Sequence, residues 1–179
     1  MISYEKNTSP FYKANEEHCQ QIEQLFQTLN VVCNGYCNSW GYEISSLYTK
    51  NNITVDFRFY KETITRNGSI IPKDSAISEG LDIEINSFNK SHKLKIQKSA
   101  LKRLFMSNEL KSLISEPYYF SSNINCSSKD IINWVDLFMK YDMYLVKLKK
   151  GKLSIEISNR VAEPLKLITE LEPMIKFYI

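Results

Sequence analysis

Apolar and polar residues alternate with a period of two in several segments of the chain, and this pattern constrains the fold more than any other feature. The clearest segment has the apolar residues Ile53, Val55, Phe57 and Phe59. Similar alternation predicts further strands at 42–48, 81–85, 94–96, 144–148 and 153–157. Such strands bury one face and expose the other. The pattern predicts a mainly antiparallel sheet, because antiparallel sheets can leave one face in water.

Apolar residues at helical spacing predict about four helices. They cover residues 16–29, 99–114, 128–141 and 160–178, the last interrupted at Pro164 and Pro173. Asn15 is the expected N-cap of the first helix, and residues 1–14 are expected to form an irregular N-terminal arm. Strands and helices do not alternate in a repeating βαβ order. The predicted fold class is therefore α+β, a single domain over residues 1–179 with the helices packed on one face or end of the sheet.

The five glycines of the 179-residue chain are dispersed, and each is predicted to serve a turn. Turns are expected at Asn34-Gly35, Asn67-Gly68 and Lys150-Gly151, and a loop is expected at 72–80. The chain contains no glycine-rich phosphate loop and no G-x-S-x-G sequence. These absences argue against nucleotide-binding and serine-hydrolase chemistry of the usual kinds.

The imidazoles and carboxylates do not form a catalytic pattern. His18 and His92 are the only histidines, and neither lies in a sequence context that would activate a cysteine. Asp56, Asp82 and Glu84 could share one face of the sheet and bind a divalent cation. We interpret them instead as solvent-facing charge pairs, which the polar face of an antiparallel sheet normally carries. The chain is predicted to be non-enzymatic, with no catalytic residues and no cofactor.

The cysteines offer one alternative to this interpretation. Cys33 and Cys37 form a C-x3-C sequence that could supply two ligands to zinc, with His18 or Cys19 as a further ligand. A second ligand pair is missing, so buried thiols without metal are the preferred interpretation. The residues that follow Met1 contain no apolar segment of a signal peptide. We therefore expect a cytosolic protein with reduced thiols.

Segregation of basic residues is the most unusual feature of the sequence. No acidic residue occurs from Ile85 through Asn108, whereas six basic residues do. A second basic group surrounds the predicted turn at Lys150-Gly151. Together they predict a partner-binding surface formed by Lys93, Lys95, Lys98, Lys102, Arg103, Lys147 and Lys149. Such a surface would attract the acidic surface of a protein partner.

Nucleic acid is the second kind of partner that this basic surface suggests. The segment Lys90–Arg103 could contact a phosphate backbone, and its affinity would then fall steeply with salt. Nineteen of the 23 basic residues are Lys, however, and Arg is the better residue for phosphate recognition and base stacking. A protein partner is therefore preferred. No apolar run approaches the length of a membrane span, so no membrane partner is expected.

The frequent use of Ile, Lys, Asn and Ser is typical of a protein from an AT-rich bacterium. In its size and its lack of catalytic motifs, the chain resembles the bacterial immunity proteins, which neutralise a cognate toxin. The resemblance rests on no motif and transfers no residue. It implies a non-enzymatic cytosolic protein-binding module that acts by occlusion. The alternatives are a small metal-binding domain or enzyme using Cys33 and Cys37, or a nucleic-acid-binding domain.

Overall fold

A computed structural model describes residues 1–50, 53–65, 75–86, 88–115, 117–161 and 163–175. Its contacts group the chain into two compact units, Met1–Ile83 and Glu84–Ile179. The single domain expected over 1–179 stays a prediction. The turn expected at Asn67-Gly68 and residues 72–74 of the expected loop lie outside the described residues. The loop prediction is wrong for residues 75–80, which form a strand.

The first unit combines one long helix with antiparallel strands. Its elements are β1 (Ile2–Tyr4), α1 (Pro10–Gln27), β2 (Cys33–Cys37), β3 (Gly41–Lys50), β4 (Ile53–Thr65) and the first part of β5 (Ser75–Asn86). β1 pairs with β2 in parallel, and β3 pairs antiparallel with both β2 and β4. The predicted alternation in β4 is confirmed, because Val55, Phe57 and Phe59 are buried.

An aromatic cluster forms the centre of this unit. Phe26 of α1 is fully buried, and its ring centroid lies 5.1 Å from that of Phe57 and 6.0 Å from that of Phe59. Phe57 and Phe59 are stacked, with their centroids 6.1 Å apart. Close aromatic packing of this kind adds to the stabilisation from apolar burial. The cluster explains why α1 lies on the apolar face of the strands.

The N-terminal segment differs from its sequence prediction. Residues expected to be an irregular arm contain β1, and α1 begins at Pro10 with Ser9 as its N-cap. Proline is suited to the first turn of a helix, because its missing N–H would have no partner there. Asn15 is not a cap. It lies buried within α1, where its Nδ2 donates to the Asn38 carbonyl and its Oδ1 accepts from the Lys61 ammonium.

The second unit contains the remaining elements. They are β6 (Leu94–Lys98), α2 (Ala100–Arg103), α3 (Asn108–Leu113), β7 (Tyr118–Ser122), α4 (Ser128–Lys140), β8 (Met143–Lys149), β9 (Lys152–Ile157) and α5 (Pro164–Ile175). Its strands follow the order β9-β8-β6-β7, and every pair is antiparallel. Lys150 and Gly151 have φ of +55° and +81° and make the predicted turn between β8 and β9.

The α+β class and the mainly antiparallel strand pairing are confirmed. The described residues contain five helices, where about four were predicted, because the segment expected as one helix over 99–114 forms α2 and α3. Ser99 caps the first of these and Ser107 caps the second. Asn34-Gly35 lies within β2 and is not a turn. None of the described helices is both long and apolar enough to cross a bilayer.

Candidate partner-binding surface

Lysines meet on the polar face of the strands in the second unit. Lys95 of β6 lies directly opposite Lys147 of β8 in the antiparallel register. The adjacent Ile96 and Val146 also pair, and both are fully buried on the opposite face. Because successive side chains of a strand point to opposite faces, burial of this apolar pair directs Lys95 and Lys147 away from the core. The alternation in the sequence therefore determines which lysines meet.

Four lysines line one shallow depression, which we call the lysine groove. They are Lys93, Lys95, Lys147 and Lys149. The depression has a volume of about 200 Å³, and Ser121 of the neighbouring strand β7 also lines it. All four lysines were predicted to belong to a partner-binding surface, and the structure places them side by side. Lys147 and Lys149 belong to β8, Lys95 belongs to β6, and Lys93 immediately precedes β6.

The groove has an excess of positive charge. Within the ranges of the chain that the structure describes, none of its four ammonium groups forms an ion pair. Burial, together with the neighbouring ammonium groups of Lys102 and Lys147, lowers the pKa of Lys95. Like charges directly opposite each other destabilise a pair of strands. An anion bound in the groove would relieve this repulsion and favour the charged form of Lys95.

Lys102 extends the positive surface from α2 towards the groove. Its ammonium group donates to Gln97 Oε1 over 3.1 Å, and Gln97 lies two residues beyond Lys95 on the same face of β6. Tyr119 of β7 pairs with Gln97 and therefore lies on the face of the strands that carries Lys95, at the end nearer to Gln97. Lys102 therefore links the groove to α2.

Two of the seven predicted residues have other roles in the structure. Lys98 forms an ion pair with Asp142 over 2.6 Å, so its charge is already compensated. The guanidinium of Arg103 donates to three backbone carbonyls, those of Lys111, Ser115 and Tyr118, at 2.9–3.2 Å. These bonds tie α2 to α3 and β7. Arg103 is thus a structural anchor. The sequence could not reveal either role, because both depend on groups at least eight residues away.

A cluster of exposed apolar residues adjoins Lys102, although their spacing in the sequence predicts that they are buried. Leu101, Leu104 and Phe105 are 77%, 69% and 88% exposed. We call these three residues the apolar ridge. The helical spacing had predicted that they would face the core of one helix over 99–114. That helix ends at Arg103, so the ridge instead projects into solvent. Ser107, the N-cap of α3, is the sequence signal that could have indicated the break.

The cysteines do not form the chelate considered above. Cys33 and Cys37 occupy the two ends of β2 and are four residues apart. A strand rises about 3.3 Å per residue, so their Cα atoms are about 13 Å apart. Zinc holds its sulfur ligands at about 2.3 Å, which requires much closer thiolates. In the described part of the chain, no three His, Cys, Asp or Glu side chains are grouped as a metal site.

Burial of the thiols in the first unit predicts that they react slowly. Cys19, Cys33 and Cys37 are buried, whereas Cys126 is partly exposed. Burial raises the pKa of Cys33 to about 11 and raises the pKa of Cys37. Because the thiolate is the reactive species, we expect a thiol reagent at pH 8 to modify Cys126 at least tenfold faster than the other three. Mass spectrometry after timed alkylation measures this, and equal modification of all four thiols would contradict it.

Charged clusters elsewhere in the described ranges contain pairs of opposite charge. Arg58 lies 3.1 Å from Glu43 and 3.5 Å from Asp82, and Lys152 pairs with Glu84. A cleft of about 290 Å³ lies in the second unit beside α4 and α5. It is lined by the ion pair of Lys140 and Glu170, whose atoms lie 2.6 Å apart. Within the described part of the chain, the lysine groove differs from these clusters because no carboxylate forms an ion pair with its ammonium groups.

Comparison with known proteins adds no assignment to this geometry. A scan against protein-family models finds no match for the chain. Searches of the curated proteins and of the solved structures also find no match. Inference about function therefore depends on the physical properties of the lysine groove and the apolar ridge.

Proposed function

We propose that this chain is a non-enzymatic binding module whose lysine groove binds an acidic surface of a protein partner. The observation that carries the proposal is the convergence of Lys93, Lys95, Lys147 and Lys149 without a compensating carboxylate in the described chain. Elsewhere, carboxylates such as Asp142 and Glu84 neutralise nearby lysines. The groove retains a charge that a carboxylate-bearing partner would neutralise.

The shape of the groove supports carboxylate side chains as its ligands. A depression of about 200 Å³ that four lysines line can accommodate one or two acidic side chains. Lysine presents a compact, mobile point charge and does not require the planar, two-point geometry of arginine. Bound carboxylates would also remove the repulsion between Lys95 and Lys147, so part of the affinity would come from relief of an unfavourable interaction.

Occlusion is the mode of action that fits a module of this kind. The proposal includes an immunity-type role in the cytosol, in which the chain covers the working surface of an acidic toxin. Electrostatic attraction to the groove would accelerate encounter between the two proteins. An immunity-type role of this kind requires that the groove bind an acidic protein surface.

Charge reversal in the groove tests the proposal. We expect the double variant Lys95→Glu/Lys147→Glu to bind poly-L-glutamate at least tenfold more weakly than the wild type, a loss of about 1.4 kcal/mol. The matched control is Lys6→Glu/Lys13→Glu, which makes the same change in net charge at two exposed lysines of the first unit. Fluorescence anisotropy at several salt concentrations measures both affinities. The difference in affinity between the wild type and the groove variant should decrease as the salt concentration rises.

Two results would defeat the proposal. The first is equal weakening by the groove variant and the control, which would show that net charge alone governs binding. The second is binding of single-stranded DNA at least tenfold tighter than poly-L-glutamate with the same dependence on Lys95 and Lys147. The half-buried Tyr119 at the end of the groove would then serve as a base-stacking side chain.

A further inference from the structure

The apolar ridge presents a continuous face although its residues are not consecutive. The backbone N–H of Leu104 donates to the Leu101 carbonyl, and that of Phe105 donates to the Lys102 carbonyl. The helical turn therefore continues past the end of α2. Side chains three and four residues apart lie on the same side of such a turn. Leu101, Leu104 and Phe105 consequently form one exposed apolar face, which is unusual for a protein surface in water.

The backbone that carries the ridge is firmly held. Ser99 caps α2 by accepting from the Lys102 N–H, and Met106 is buried directly after the ridge. Arg103, in the middle of the segment, is anchored by its three bonds to backbone carbonyls. A segment that is already ordered loses little conformational entropy when a partner binds. The ridge therefore has the properties of a preorganised interface anchor.

The positive charge around the ridge indicates which kind of partner can bind there. Lys102 lies between Leu101 and Arg103 and extends to the edge of the lysine groove. A second copy of this chain seated on the ridge would bring its own Lys102 and groove close to the first, and like charges would oppose the contact. The groove is also concave, which suits projecting side chains better than the flat headgroup layer of a bilayer. Charge and shape together favour a protein with an apolar pocket and an acidic rim.

We propose that the apolar ridge is the hydrophobic anchor of the partner interface and inserts into an apolar pocket rimmed by carboxylates on the partner protein. This inference rests on the proposed function, since the groove lysines would contact that acidic rim. A small apolar centre surrounded by complementary charge is the usual arrangement of the residues that dominate binding energy. The ridge supplies that centre, and Lys102 joins it to the groove.

A pair of matched peptides tests the anchor. One is a 20-residue helical peptide with Leu along one side and Glu on the others, and its counterpart has Ala in place of each Leu. We expect the full chain to bind the Leu peptide at least tenfold more tightly. The double variant Leu101→Ser/Phe105→Ser should lose that gain and keep the wild-type affinity for the Ala peptide. The control is Leu47→Ser, which alters an apolar residue of the first unit that is 60% exposed.

The other outcomes distinguish failure of the ridge as an anchor from failure of the proposed binding function. If the wild type binds both peptides equally, or if the ridge variant keeps the gain, the anchor is wrong while the groove proposal survives. If neither peptide binds, the proposed function itself fails. Analytical ultracentrifugation that shows a wild-type dimer dissociated by Leu101→Ser/Phe105→Ser would overturn the proposal in favour of self-association. Ridge-dependent binding to vesicles of phosphatidylserine and phosphatidylcholine, without a gain for the Leu peptide, would assign the ridge to a membrane surface.

Discussion

Replacement of Gly35 by Ala is expected to destabilise the unit Met1–Ile83 by about 4 kcal/mol or more, the range of the most damaging single substitutions. Gly35 has φ of +153°, a backbone conformation that L side chains rarely adopt. A Cβ there would overlap the carbonyl oxygen of Glu43 and lie 2.9 Å from the Ile44 Cα. Both contacts belong to the paired strand β3. Relief of the overlap would require β2 and β3 to separate, which breaks their backbone hydrogen bonds.

Chemical denaturation followed by circular dichroism measures this effect. Ser3→Ala is the matched control, because Ser3 is exposed on β1 and its substitution should change the free energy of unfolding by less than about 0.5 kcal/mol. A Gly35→Ala protein with the same denaturation midpoint as the wild type would contradict the close approach of β2 and β3. The result also bears on the sequence prediction of a turn at Asn34-Gly35, because a Cβ in a solvent-exposed turn would not meet the carbonyl of a paired strand.

Replacement of Arg103 by Ala is expected to destabilise the unit Glu84–Ile179 by about 2–3 kcal/mol. Three backbone carbonyls lose the guanidinium donor, and hydrogen bonds to charged groups are worth about 1.5–3 kcal/mol each when net effects are counted. Water can satisfy part of this loss because the site is only partly buried. Arg103→Lys should recover less than half of the stability, since one ammonium group cannot reproduce the fork geometry of the guanidinium.

The same variants separate a structural role from a binding role. Lys102→Ala is the matched control, because it removes the adjacent positive charge from α2 without removing the carbonyl contacts. It should leave the free energy of unfolding within about 0.5 kcal/mol of the wild type and weaken poly-L-glutamate binding. Arg103→Ala should lower the free energy of unfolding and leave the affinity of the folded protein for poly-L-glutamate nearly unchanged. If Arg103→Ala weakened binding at unchanged stability, Arg103 would be a partner contact, as the sequence alone had suggested.

The groove and the ridge are expected to influence different steps of association. Charge on the groove acts over distances of several ångströms before contact, so its reversal should mainly lower the association rate. The ridge acts only after apolar surfaces meet, so its loss should mainly raise the dissociation rate. Stopped-flow measurements with the Leu peptide can distinguish the two contributions. A module built this way would combine rapid encounter with slow release.

Local periodicity accounts for the part of the site that the sequence could predict. Lys93 and Lys95 alternate with Leu94 and Ile96, so burial of the apolar pair required the lysines to share the opposite face. The same reasoning applies to Lys147 and Lys149 on β8. The pairing of β6 with β8 was not predictable, because the two strands are about fifty residues apart and nothing local selects one partner strand over another. That pairing is what unites the lysines in one groove.

Lys98 and Arg103 show that local sequence patterns do not predict which charges are compensated in the fold. Lys98 lies on the same strand as Lys95, but Asp142 neutralises it from 44 residues away. Arg103 is the last residue of the basic segment, and its guanidinium donates to the backbone carbonyls of Lys111, Ser115 and Tyr118. Compensation of a charge depends on every group that the fold brings within a few ångströms, and sequence spacing contains little information about such groups.

The sequence by itself determined the positions of most strands and helices, the α+β class and the polar side of each strand, because these follow from hydrophobic periodicity over a few residues. Only the tertiary structure decided which charges remain uncompensated and which apolar residues stay exposed. Leu101, Leu104 and Phe105 have the spacing of a core-facing helix, but the chain turns at Met106 and buries that residue instead. A local signal such as the Ser107 cap could indicate that the helix breaks, but burial is a property of the whole packed chain, so only the tertiary structure shows that the apolar ridge faces solvent.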